Sequence, residues 1–163
     1  MRILALVFAA LALGAGAASA QNLSARAPTW AQALLASDAT PTLGGRATLA
    51  AEGIDTSVRL TIAPQPGGVA RVIRFDQRAD GASIALRRFT GHPTTGWWMW
   101  GPDTPYVFTP TAAQAQEIVT MARALSGVAG VVGGAMEACP SGEQAFIEIV
   151  ANGRSTSITR ACV

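Results

Sequence analysis

The strict alternation of side-chain character between Ile54 and Ile62 is the strongest constraint on the fold of this chain. A period of two residues is typical of a β-strand that buries one face. One predicted face carries Ile54, Thr56, Val58, Leu60 and Ile62, and the opposite face carries Asp55, Ser57, Arg59 and Thr61. The pattern therefore predicts a half-buried strand here.

Two further strands are predicted directly after this one. Turn-forming residues occupy Ala63–Gly68 and Asp76–Ala82, and the segments Val69–Phe75 and Ser83–Phe89 have strand character. Short turns between successive strands are typical of antiparallel pairing. The sequence therefore predicts a three-strand antiparallel meander.

The register of this meander follows from burial. Placing Ile84 opposite Phe75, and Leu86 opposite Ile73, gathers the aliphatic side chains on one face. A slip by one residue would expose them. The other face then carries three arginines, for which we expect exposure to solvent; binding of an anion is the alternative. These arginines are Arg59, Arg74 and Arg87.

A helix is predicted after the meander. Thr109 is a candidate N-cap, with Pro110 at the first helical position, and Ser126-Gly127 ends the helix. An apolar stripe at helical spacing is expected to cover the apolar face of the sheet. The stripe consists of Ala115, Ile118, Val119, Ala122 and Leu125.

The C-terminal region predicts a β-hairpin. Two segments with strand character, Ala145–Ala151 and Arg154–Ala161, flank Asn152-Gly153, the preferred pair for a type I′ turn. In this register Ile147 faces Ile158. The predicted fold is therefore α+β: an antiparallel sheet made of the meander and the hairpin, packed by one principal helix.

The N-terminus has the layout of a secretory signal peptide. A charged start, Met1-Arg2, precedes the apolar stretch Ile3–Leu13 and the small residues Ala18-Ser19-Ala20. Cleavage is expected between Ala20 and Gln21. The apolar stretch is shorter than the roughly 20 residues that span a bilayer, so no transmembrane anchor is expected in the mature chain. The sequence predicts a periplasmic or secreted protein.

The two cysteines, Cys139 and Cys162, are expected to form a disulfide. An even number of cysteines in an exported chain favours pairing. The hairpin register also brings Cys162 close to Cys139. The predicted organisation is a signal peptide over 1–20, a lead-in over 21–45 that includes a short helix at Trp30–Ala36, and a single α+β domain over 46–163.

Composition excludes several functions. The chain has 12 basic and 10 acidic residues, and Arg2 is lost with the signal peptide, so the mature chain is almost neutral. This balance gives no basis for binding nucleic acid. Every basic residue is arginine, which excludes lysine nucleophiles and pyridoxal-phosphate Schiff bases. No metal motif occurs, and no cofactor is predicted.

His92 is the one candidate for catalysis. It is the only histidine, and it lies in the loop-like sequence Gly91-His92-Pro93. No G-x-S-x-G nucleophile elbow accompanies it. A turn or surface position is the simpler interpretation, while a small periplasmic hydrolase with His92 as its base remains an alternative.

The tryptophan-rich segment is the main candidate for binding. Trp97, Trp98 and Trp100, with Tyr106 and Phe108 nearby, lie close to Arg87 and Arg88. In an extended segment Trp98 and Trp100 would share a face while Trp97 points the other way. Exposed indoles beside arginines suit a sugar, a cationic ligand or a protein partner. The alternative is that these rings complete the core.

We therefore predict a small exported protein, more plausibly a non-enzymatic binding or accessory module than an enzyme. Its expected ligand-binding residues are Trp97, Trp98, Trp100, Arg87 and Arg88. The partner would be a protein or a cell-envelope ligand. A purely structural role in the envelope is a further alternative.

Overall fold

The strand predicted at Ile54–Ile62 lies in the middle of an antiparallel sheet. The computed structural model describes residues 27–37, 46–63, 68–92, 96–99, 101, 105–126 and 143–161. The described elements are α1 (Thr29–Ser37), α2 (Arg46–Ala51), β1 (Ile54–Ala63), β2 (Ala70–Arg78), β3 (Gly81–His92), β4 (Gly96–Met99), β5 (Tyr106–Phe108), α3 (Ala112–Ser126), β6 (Gln144–Ala151) and β7 (Arg154–Ala161). No described helix has the length and apolar character needed to cross a membrane.

The strand order is β4–β3–β2–β1–β6–β7, and β5 also pairs with β3. Every pairing is antiparallel. The predicted meander and its register are confirmed, since Phe75 pairs with Ile84 and Ile73 with Leu86. The predicted turn Asp76–Ala82 is too long, because β2 continues to Arg78 and β3 begins at Gly81. The C-terminal hairpin joins the sheet beside β1, which places β1 between β2 and β6.

The C-terminal hairpin has the predicted register. Ile147 pairs with Ile158. The turn residues Asn152 and Gly153 have φ angles of 50° and 66°. Positive φ at both central positions is what a type I′ turn requires, and asparagine and glycine tolerate it best. Local turn chemistry therefore determines this part of the sheet.

A β-bulge interrupts β1 at its first residues. Ile54 pairs with Arg78, whereas Thr56 pairs with Gln77, so one extra residue lies on the β1 side. The bulge moves Ile54 to the opposite face, where it packs against Leu49 and Val150. The predicted single face from Ile54 to Ile62 is therefore wrong at Ile54.

Helix α3 covers one face of the sheet, which we call the helix face. Val119 and Ala115 pack against Phe75, and Ala122 packs against Ile149. The predicted N-cap at Thr109 is wrong by two residues. Thr111 is the cap: its hydroxyl accepts from the Gln114 N–H, and the Gln114 side chain accepts from the Thr111 N–H.

The last residue of the predicted stripe is also misplaced. Leu125 is exposed, whereas Ser126 is buried. The stripe that packs on the sheet consists of Ala115, Val119, Ala122 and Ser126, which are three or four residues apart. The spacing of apolar residues in the sequence indicates which side of the helix faces the sheet. The orientation of the helix on the sheet then determines which residues of that side are buried.

The opposite face, which we call the polar face, is also covered. Leu34 of α1 packs against Val72 and Phe89, and Leu35 packs against Phe146. Leu49 of α2 packs on the same face against Ile54 and Val150, at the end where β1 begins. Arg59 is only 1% exposed, and Arg74 and Arg87 are partly buried. The expectation of a solvated arginine face is therefore wrong, because the sheet lies between two helical layers.

Several predicted features fall outside the described residues. These are the signal peptide with its Ala20–Gln21 cleavage site, and both cysteines, Cys139 and Cys162. Export and the disulfide therefore stay predictions.

Candidate functional site

Strands β4 and β5 lie in line along the same edge of β3. Met99 pairs with Phe89, and Tyr106 pairs with Leu86. Six residues separate Met99 from Tyr106 in sequence, whereas only two residues separate their partners Phe89 and Leu86 on β3. The edge of the sheet is thus one returning strand, interrupted opposite Arg87 and Arg88.

The returning strand presents three aromatic side chains on the helix face. Trp98, Tyr106 and Phe108 pair with Thr90, Leu86 and Ile84, which share one face of β3. Their exposed fractions are 56%, 45% and 52%. From Thr90 to Ile84 is six residue steps, or about 20 Å at strand spacing. We call Trp98, Tyr106 and Phe108, together with Arg88, the aromatic edge.

Arg88 supplies the positive charge of the aromatic edge. Its guanidinium carbon lies 5.7 Å from the centre of the Tyr106 ring, within the range of a cation–π contact. Arg71 lies directly across the strand pair from Arg88. Two positive charges in this position repel each other. The Arg71 guanidinium donates hydrogen bonds to both carboxylate oxygens of Glu143, and this negative charge reduces the repulsion between Arg71 and Arg88.

The two arginines of the predicted site point to opposite faces. Arg88 shares the helix face with Trp98, whereas Arg87 pairs with Val72, whose side chain lies in the polar-face cluster with Leu34 and Phe89. Successive strand residues always alternate in this way. The structure therefore brings Arg88 and Trp98 to one surface and separates them from Arg87.

The tryptophans are described to different extents. Trp98 is exposed, so it does not serve to complete the core. The backbone of Trp97 pairs with Gly91. The side chain of Trp97 and the whole of Trp100 lie outside the described residues. Their role in binding stays a prediction.

A groove of about 470 Å³ adjoins the aromatic edge, between β5 and α3. Its lining is mainly apolar, and Glu117 is the one charged residue in it. The Glu117 carboxylate forms no ion pair among the described residues, while Met121 beside it is 52% exposed. The lining residues are Ile84, Phe108, Thr109, Pro110, Gln114, Glu117, Ile118 and Met121.

Sequence reasoning did not identify this groove. The heptad-like spacing of Gln114, Ile118 and Met121 places them on one side of α3, but only the packing of α3 on the sheet brings that side to Phe108. Tyr106 and Phe108 were visible as part of the aromatic cluster. Gly101-Pro102 and Pro105 mark an interruption of the strand in the sequence, but they do not determine the register at which the strand resumes and so do not predict the alignment with Trp98.

His92 ends β3, where its backbone pairs with Gly96. Its side chain lies outside the described residues. Among the residues that are described, no group of three or more histidine, cysteine, aspartate or glutamate side chains could hold a metal ion. The hydrolase hypothesis gains no supporting observation and stays a prediction.

A charged network lies within the polar face. Arg59 binds Glu148 through two hydrogen bonds of 2.5 and 2.7 Å, and these side chains are 2% and 0% exposed. Asp76 accepts from the Ser57 hydroxyl at 2.6 Å and from Arg74 at 3.0 Å. The negative charges that pair with Arg59 and Arg74 are thus the carboxylates of Glu148 and Asp76. This arrangement supports the fold rather than the binding of an external anion.

Comparison of the chain with protein-family models, with characterised proteins and with solved structures found no match.

Proposed function

We propose that this protein is an exported, non-enzymatic binding module, and that it contacts a partner in the cell envelope through the aromatic edge. The observation that carries the proposal is the exposure of Trp98, Tyr106 and Phe108 on one surface beside Arg88. The signal-peptide pattern of residues 1–20 supports the location. The predicted disulfide between Cys139 and Cys162 belongs to the same proposal, since it requires an oxidising compartment.

The physical argument is the cost of leaving these rings in water. Full burial of a large apolar side chain stabilises by about 1.5–3 kcal/mol, and each of the three rings is half exposed. Aromatic and arginine side chains are also the residues that most often dominate binding energy. Their placement on one face along one edge of the sheet, rather than as scattered single residues, favours an interaction surface.

The test uses purified protein and fragments of the bacterial envelope. Trp98→Ala and Tyr106→Ala are expected to weaken co-sedimentation with these fragments by about tenfold or more, which is the usual effect of losing a dominant aromatic contact. Leu125→Ala is the matched control, because Leu125 is an exposed apolar residue outside the aromatic edge and the groove lining. Tryptophan emission gives a second readout on the same samples.

Two results would oppose the proposal. One is the absence of binding to every envelope fraction by the wild-type protein. The other is equal binding by the wild-type protein and the Trp98→Ala/Tyr106→Ala double variant, with both shown to be folded by circular dichroism. Loss of binding in Leu125→Ala to the same extent would show that the effect is not specific to the aromatic edge.

A further inference from the structure

The groove beside β5 is bounded by a sheet edge on one side and a helix on the other. All three residues of β5 are exposed, and β5 has no strand on its outer side among the described residues. An open strand edge offers backbone N–H and C=O groups to an added strand. An extended peptide can therefore pair with β5 and direct alternate side chains over the groove.

The groove matches one type of peptide side chain. Ile84, Phe108 and Met121 provide apolar contacts, and Glu117 provides a carboxylate that pairs with no basic side chain in the part of the chain that the structure describes. Lysine and arginine have long apolar stems that pack on such surfaces while the charged end reaches a carboxylate.

The groove carries the negative charge of Glu117, whereas the end of the aromatic edge away from the groove carries the positive charge of Arg88. Arg88 lies four residues along β3 from Ile84, or about 13 Å away, with Tyr106 between their levels. A strand paired beside β5 places side chains on the helix face at every second position. The surface therefore complements an acidic residue at the Arg88 level, an apolar residue at the Tyr106 level and a basic residue in the groove.

Building on the proposed function, we propose that the partner is a polypeptide, which binds as an extended strand beside β5. Since β5 runs from the Arg88 level toward the groove, a strand parallel to β5 carries the pattern acidic–x–apolar–x–basic, and an antiparallel strand carries the same residues in the reverse order. The basic side chain lies in the groove with its charge on Glu117, the apolar side chain packs on Tyr106, and the acidic side chain pairs with Arg88.

The test uses two fluorescein-labelled peptides that carry the pattern in its two orders, Gly-Asp-Thr-Leu-Thr-Lys-Thr and Gly-Lys-Thr-Leu-Thr-Asp-Thr, and their binding to the purified protein is followed by fluorescence anisotropy. Acetylation of the peptide lysine keeps the stem and removes the charge. It is expected to weaken binding about fivefold, and Phe108→Ala to weaken it about tenfold. Gln116→Lys is the matched control for Glu117→Lys, because Gln116 is exposed on α3 but does not line the groove.

A reciprocal charge exchange gives the decisive result. Glu117→Lys should reduce binding of the lysine peptide by about tenfold, and a peptide with glutamate in place of lysine should recover it. Equal binding of the lysine peptide by wild type and Glu117→Lys would overturn the inference. So would the absence of peptide binding by a protein that still binds envelope fragments through Trp98, because the partner would then be a glycan or lipid and only the proposed function would stand.

Discussion

Removal of the buried carboxylate of Glu148 should destabilise this protein severely. Arg59 and Glu148 face each other across the β1–β6 pair, and both charged groups are almost fully buried. In Glu148→Leu the guanidinium keeps its charge but loses two short hydrogen bonds to a carboxylate. Breaking a buried pair in this way costs about 3–5 kcal/mol. That is a large part of the 5–15 kcal/mol that typically stabilises a domain.

The measurement is urea unfolding followed by circular dichroism, with the free energy of unfolding compared between variants. Glu143→Gln is the matched control, since it breaks the same type of pair with Arg71 where both side chains are more than a third exposed. Solvent screening should limit its cost to about 1 kcal/mol or less. The contrast between these two variants isolates the effect of burial.

The double variant Arg59→Met/Glu148→Leu tests the reasoning from the other direction. Replacing both charges with apolar side chains of similar size removes the uncompensated guanidinium, so its stability should return to within about 1 kcal/mol of wild type. The double variant remains informative if Glu148→Leu does not fold. The reasoning is refuted if Glu148→Leu costs no more than Glu143→Gln, or if the double variant is less stable than Glu148→Leu.

Three further predictions concern the helices and the predicted processing of the chain. Leu34→Ala should lower the free energy of unfolding, measured in urea, by about 2–5 kcal/mol, because Leu34 is fully buried against the sheet. A decrease of less than about 1 kcal/mol would mean that α1 does not pack there. Thr111→Ala should lower the free energy of unfolding by about 1 kcal/mol through loss of the N-cap. Thr120→Ala, which changes an exposed threonine within the same helix, should lower it by less, and equal decreases would exclude the capping box. Intact-mass analysis of protein from native cells should show a chain that begins at Gln21 and is two hydrogens lighter than the dithiol form; a chain that begins at Met1 with two free thiols would oppose both the export and the disulfide predictions.

The parts of the fold that sequence predicts correctly are the pairings between strands that are neighbours in sequence. The register of β6 with β7 follows from turn chemistry, and the register of β2 with β3 follows from keeping apolar residues on one face. The position of the hairpin beside β1 does not follow, because α3 and a long connection separate these strands in sequence. No local rule states which sheet edge a returning hairpin will join.

The candidate site was predictable in composition but not in geometry. The density of aromatic residues between Trp97 and Phe108 is a property of the sequence itself. The alignment of Trp98 with Tyr106 depends on how the returning strand resumes its pairing with β3. The groove depends on where α3 lies on the sheet, which is a property of tertiary packing.

A period of two residues shows that the two faces of a strand differ in polarity, but it does not determine which face is more deeply buried. On β1 the polar residues Ser57, Arg59 and Thr61 are more deeply buried than Val58, Leu60 and Ile62, because α1 and α2 pack on their side. The informative residue is on β6, where Glu148 interrupts the otherwise apolar segment Phe146–Ala151. A strand with this pattern is expected to be buried on both faces, so its single carboxylate requires a charged partner on a neighbouring strand. The sequence offers Arg59, Arg74 and Arg87 on the same predicted face, so the pattern calls for a basic partner without identifying it, and the placement of β6 beside β1 is what selects Arg59.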